Sequence, residues 1–121
     1  MENNEIKISV TNITGDVFAV EAEEGQKIFE AIHKALSNNF KVVISFLNIK
    51  IITTAFLNTA IGQLYKDFSE EKIKNSLCVE DISDSGKITL KRVVDTAKLF
   101  YNDADRFKKM QKSIDDILKN K

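Results

Sequence analysis

Residues 40–47, Phe-Lys-Val-Val-Ile-Ser-Phe-Leu, limit more than any other stretch what this chain can fold into. A run this nearly continuous in apolar side chains, and this short, reads as a strand buried on both faces. Strands of that kind lie at the centre of α/β sheets and need helices against them. The flanking sequence supplies those helices. Upstream, Ile28, Ala31, Ile32, Ala35 and Leu36 recur at helical spacing, with Glu30 and Lys34 placed as an exposed i,i+4 pair, until Ser37-Asn38-Asn39 ends the pattern. Downstream, Phe56, Leu57, Ala60, Ile61, Leu64 and Tyr65, extended by Phe68, make a second stripe over residues 55–68.

The remaining segments complete an alternating pattern. Ile6, Ile8 and Val10 alternate with Glu5, Lys7 and Ser9, the period of a half-buried strand, and Thr14-Gly15-Asp16 is a good turn. With a second strand over residues 17–20, the two are expected to form a hairpin. Residues 75–80 read as a strand with Leu77 and Val79 inward, and residues 81–86 as a polar loop. Thr89 is placed to cap a helix through Tyr101. Residues 103–118 form an amphipathic helix with Phe107, Met110, Ile114, Ile117 and Leu118 on one stripe. The predicted order is β-β-α-β-α-β-α plus an extra C-terminal helix: an α/β fold, a mixed β-sheet with helices packed on it. Residues 1–102 are expected to form the domain. Residues 103–121 then either belong to it or serve as an oligomerisation element.

Composition closes several doors. With 121 residues, no proline and only four glycines, one core with short connections is expected. The hydrophobic fraction of 43% and charged fraction of 30% are those of a globular domain. Lysine and arginine together number 18, as do aspartate and glutamate, and the signs are interleaved. Sequence-independent nucleic-acid binding would need a basic surplus to displace counterions from phosphates, so no nucleic-acid partner is expected. The acidic start lacks the pattern of a secretory signal, no apolar run can span a bilayer, and the single Cys78 can form no intrachain disulfide. A reduced, cytoplasmic setting is the expectation.

Catalytic chemistry finds little to work with. The one histidine, His33, lies inside the first helix with no evident partner. Cys78, between Leu77 and Val79, reads as a buried small hydrophobe with no basic neighbour to make a thiolate. Metal-ligand spacing and a glycine-rich phosphate loop are both missing from the sequence, so no metal and no cofactor are expected. The carboxylate pairs Asp81/Asp84 and Asp115/Asp116 are explained by loop solvation and an exposed helix face. The sharper feature is Ile51-Ile52-Thr53-Thr54-Ala55-Phe56-Leu57, which puts two hydroxyls at a helix start just after a buried strand. One threonine caps the helix there, and the same position favours an anion, including a phosphate carried on Thr54 or Thr53.

The run from Val42 to Asn58, Val-Val-Ile-Ser-Phe-Leu-Asn-Ile-Lys-Ile-Ile-Thr-Thr-Ala-Phe-Leu-Asn, resembles the STAS-like domains of uncharacterised function, which are similar to bacterial anti-sigma-factor antagonists. Ala60-Ile61-Gly62-Gln63-Leu64-Tyr65, Leu90-Lys91 and Val93-Val94-Asp95-Thr96-Ala97 add to the likeness, which covers residues 18–101. In the antagonists an Asp-Ser-Ser-like motif before the second helix carries a serine phosphorylated by a partner ATP-binding kinase. The resemblance puts Thr53 at the aspartate, Thr54 at the phosphorylated serine and Ala55 at the second serine. Ser45 stands where STAS-like relatives commonly carry an acidic residue, a second departure.

Three readings follow. In the first, the chain is a non-catalytic regulatory module that docks a protein through Asn48, Lys50, Thr53, Thr54 and Asn58. The resemblance implies a histidine-kinase-type ATPase as partner. In the second, Phe107, Met110, Ile114 and Leu118 pack against another copy to make a homodimer, the alternative being that they cover the chain's own domain. In the third, the domain binds a nucleotide.

Overall fold

The computed structural model describes residues 4–119, and the side chains of residues 4–101. The elements are β1 (Glu5–Ser9), α1 (Val10–Thr14), β2 (Phe18–Ala19), α2 (Ala22–Ser37), β3 (Lys41–Ser45) and β4 (Ile51–Ile52). They continue with α3 (Thr54–Leu57), a π-helical turn (Asn58–Gly62), α4 (Leu64–Asp67), α5 (Glu70–Ser76), β5 (Leu77–Glu80) and α6 (Asp84–Lys119).

The apolar run at 40–47 is indeed the central strand. β3 pairs with β1 on one side and β5 on the other, both parallel, with Ile8 level with Ile44 and Ile44 level with Val79. Val42, Val43, Ile44, Ser45 and Phe46 are all buried. β2 and β4 form a separate parallel pair in which Phe18 is level with Ile51. The core gathers Ile28, Ile32 and Leu36 of α2, Phe56 and Leu57 of α3, and Ile61 and Leu64 beyond them, each at most 2% exposed. This is the expected α/β architecture of strands with helices packed around them and an extra C-terminal helical length.

The expected hairpin between the first two strands does not form. Ser9 caps α1 by accepting a hydrogen bond from the Asn12 amide (3.3 Å). Gly15, at φ 72°, closes it with its N–H on the Thr11 carbonyl (2.8 Å). A completed helical turn therefore stands where a hairpin loop was expected, and it sends β2 to pair with β4. Val10, expected at the end of a strand, is instead the fully buried first residue of α1.

Two other local expectations are corrected. The last helix starts at Asp84 and not near Thr89, because Ser83 accepts from the Gly86 amide (3.1 Å) while its carbonyl takes Lys87 N–H (2.9 Å). Thr89 lies inside this helix and donates to the Ser85 carbonyl (3.1 Å). Residues 69–76, largely unassigned from the sequence, hold α5, capped by the Ser69 hydroxyl on the Lys72 amide (3.0 Å), with Glu70 and Glu71 in the first turn and Lys74 in the last. α6 then runs without a break across residues 102 and 103.

Candidate functional site

The short β4 strand and the start of α3 hold the residues singled out from the sequence. Thr53 fixes the corner. Its N–H donates to the Ala19 carbonyl (3.0 Å), its hydroxyl donates to the Val20 carbonyl (2.7 Å), and the same oxygen accepts from the Phe56 amide (3.2 Å). Thr53 is thus the N-cap of α3, tying the helix start to the end of β2. Thr54, the first helical residue, is exposed, and its hydroxyl has no hydrogen-bond partner among the described residues. The two adjacent threonines have different jobs: one holds the fold, the other is free.

That division gives a direct expectation. Thr53→Ala should lower stability by about 1–2 kcal/mol through loss of the cap and of the Val20 bond, whereas Thr54→Ala should stay within about 0.5 kcal/mol of the parent. Chemical denaturation of the two variants checks this, and equal losses would contradict the assigned roles.

The approach to β4 is equally defined. After buried Phe46 the chain turns, with the Ile49 N–H on the Phe46 carbonyl (3.0 Å) and Asn48 in the left-handed region at φ 68°. Asparagine is among the few non-glycine residues that tolerate that backbone. Lys50 N–H then donates to the Val17 carbonyl (2.7 Å), extending the β2–β4 ladder. Ser45, 3% exposed, donates to Asp81 Oδ2 (2.8 Å) and accepts from the Leu47 amide (3.3 Å). Asp81, which receives the Ser45 hydroxyl, follows directly on β5.

The five proposed interface residues do not converge on one pocket. Asn48 lines a polar hollow of about 470 Å³ at the carboxyl ends of β1 and β3, with Lys7, Ser9, Thr11 and Ser45. Asn58 lines another, of about 300 Å³, with Gln63, Thr96 and Phe100. Lys50 and Thr54 are exposed, and Thr53 is half-buried. The sequence reading missed the apolar side chains set among them: Leu47 (56% exposed), Ile51 (51%) and Phe18 (43%). Phe18 and Ile51 are level in the β2–β4 register, so both present to the same face. Their exposure follows from a two-stranded pair with one side on the domain, where Ile52 reaches Gly86 of α6. Period-two alternation around Ile51 was the available signal, but two residues are too few to show it.

The other sequence candidates fall elsewhere. His33 has partners after all: Asp67 Oδ2 lies 3.2 Å from its Nε2, Ser37 Oγ lies 3.4 Å from its Nδ1, and the ring rests against Phe29 and Phe68. Cys78 is exposed and not buried, because the edge strand β5 alternates Leu77 and Val79 inward with Cys78 and Glu80 outward. A larger groove, about 620 Å³, is floored by Ile73, Leu77, Val79 and Leu90 and contains none of the sequence candidates. Tyr65 borders it; burial pushes its phenol above the ordinary value, and the carboxylates of Glu70 and Asp95 add to the shift. Among the described residues no cluster of three His, Cys, Asp or Glu side chains could hold a metal ion, and no helix is long and apolar enough to cross a membrane. Phe107, Met110, Ile114 and Leu118 lie outside the described side chains.

No curated protein and no solved structure matches the chain. A family model does match, over residues 24–87, a stretch that takes in most of α2, β3, the Thr53–Thr54 corner, β5 and the start of α6. The chain therefore belongs to the family described as STAS-like domain of unknown function (DUF4325).

Proposed function

We propose that this chain is a regulatory protein-interaction module whose docking face is the open surface around the β4–α3 corner, with Thr54 as a reversible phosphate acceptor. The observation that carries the reading is the split between the threonines, Thr53 spent on the fold and Thr54 exposed and unpartnered. The resemblance to anti-sigma-factor antagonists puts Thr54 at their phosphorylated serine and implies a histidine-kinase-type ATPase as partner. The shape of the site favours a protein over a small molecule: polar Asn48, Lys50, Thr54 and Asn58 are interspersed with exposed Leu47, Ile51 and Phe18 across a surface and not inside one cavity. Apolar anchors ringed by polar groups are the composition of a protein interface.

Phosphate on Thr54 brings a charge of about −1.5 to −2 beside that apolar patch and opposes docking by desolvation cost. The reading is tested by titrating candidate ATPase partners against the purified protein in a reduced buffer matching the expected cytoplasmic setting. Thr54→Glu should weaken binding at least about tenfold, a 1.4 kcal/mol change, while Thr54→Ala binds like the parent. Equal binding by parent, Thr54→Glu and Thr54→Ala would overturn the switch.

A further inference from the structure

The face that seats α6 on the domain continues past the point where the domain covers it. Val93 and Ala97 are 2% and 7% exposed; one turn further on, Phe100 is 64% exposed and Leu99 66%. Positions 93, 97 and 100 lie on one helical row, and that row continues in the sequence through Ala104, Phe107, Met110, Ile114 and Leu118. The α6 backbone stays helical through Lys119, 36 residues in all, about 54 Å against the roughly 30 Å of a small domain. One domain of this size cannot cover such a helix end to end.

The charges along residues 103–121 say what can. They run in blocks: Asp103 and Asp105, then Arg106, Lys108, Lys109 and Lys112, then Asp115 and Asp116, then Lys119 and Lys121. Set beside a copy of itself in the same direction, each block meets its own sign. Reversed about position 112, Asp105 comes level with Lys119, Lys108 with Asp116 and Lys109 with Asp115. The same reversal brings Phe107 level with Ile117 and Met110 with Ile114, the heptad pairing of an antiparallel two-helix seam. Lys112 meets its like, and Arg106 comes level with Leu118. One register therefore pairs the central apolar positions 107, 110, 114 and 117 with one another and sets acidic positions against basic ones on both sides of them.

We infer that α6 pairs with α6 of a second copy, antiparallel, about a two-fold axis near position 112. The contact is isologous and closes as a dimer, so it forms no open polymer. It leaves the β4–α3 corner of each copy outside the seam, and its truth does not depend on the switch at Thr54.

Sedimentation equilibrium on the full chain should show a reversible monomer–dimer equilibrium. Ile114→Asp should raise its dissociation constant roughly a hundredfold, with the thermal midpoint of the folded domain kept in the monomer. Direction is read by disulfide formation in a Cys78→Ser background. Phe107→Cys alone and Ile117→Cys alone should stay uncrosslinked, because like positions lie about 15 Å apart along an antiparallel pair. Mixing the two should give a disulfide-linked dimer. A chain that is monomeric at all concentrations up to the solubility limit, an unaltered dimer in Ile114→Asp, or crosslinking of Phe107→Cys with itself would each overturn the inference.

Discussion

Phe56→Ala is expected to be among the most damaging single truncations near the candidate site, costing about 3–5 kcal/mol. Phe56 is fully buried in the first turn of α3, two residues after Thr54, and sits in the same core cluster as Ile28, Ile32 and Ile44. Its amide is also the donor that Thr53 Oγ1 accepts, at 3.2 Å. Loss of the ring therefore leaves a cavity beneath the helix start and loosens the cap that aims Thr54 outward. Against a total stability of roughly 5–15 kcal/mol for a domain, this is a large share. The thermal midpoint should fall by at least about 10 °C. A fall of under about 3 °C would show that the α3 start is not anchored as described.

Gly25→Val should be the second most damaging change, for a reason that lies in the backbone and not in the glycine's own conformation. A Cβ at Gly25 would lie 2.7 Å from the Phe56 carbonyl oxygen and 3.2 Å from Thr59 Cβ. α2 and α3 approach each other so closely there that any side chain must push the helices apart. Alanine would gain about 1 kcal/mol of helix propensity in an open position. Here overpacking costs about 1–3 kcal/mol, so Gly25→Ala should be destabilising on balance and Gly25→Val by about 3 kcal/mol. Urea unfolding with an unchanged m-value checks this, and a stabilised Gly25→Ala would contradict the close approach.

What the sequence disclosed and what it hid divide along the range of the interactions. The central strand was legible because Val42, Val43 and Ile44 are buried whatever pairs with them. The stripes of α2 and of residues 55–68 were legible because helical spacing is local. A π-turn at Asn58–Gly62 interrupts the second stripe without changing its inner face, with Ala60, Ile61 and Leu64 still buried. The Thr53 cap was readable as one of two threonines, but the choice between them rests on the Val20 carbonyl, 33 residues away. The hairpin expectation failed on a local signal that was present, Ser9 as a cap and Gly15 as a left-handed stop. α5 was missed in the same way, since Ser69-Glu70-Glu71-Lys72 is a helix start in plain view. The His33–Asp67 contact spans 34 residues. Periodicity alone cannot supply it, whereas the outward side of Cys78 was already implied by the alternation of Leu77 and Val79.

The candidate site was legible as a corner and not as a surface. Thr53, Thr54, Asn48, Lys50 and Asn58 followed from the strand-to-helix transition. The exposed Phe18 became part of the same face only through its register with Ile51.

The measurement that tests the central claim most directly is recovery of the tagged protein from its host, with phosphate mapped by mass spectrometry and the bound partner quantified. Parent, Thr53→Ala, Thr54→Ala and Thr54→Glu would be compared side by side. The account predicts phosphate on Thr54 and not on Thr53, an ATP-binding kinase-like partner on the unphosphorylated protein, and loss of that partner with Thr54→Glu. An unmodified Thr54 together with the same partner recovered equally by all four proteins would contradict it.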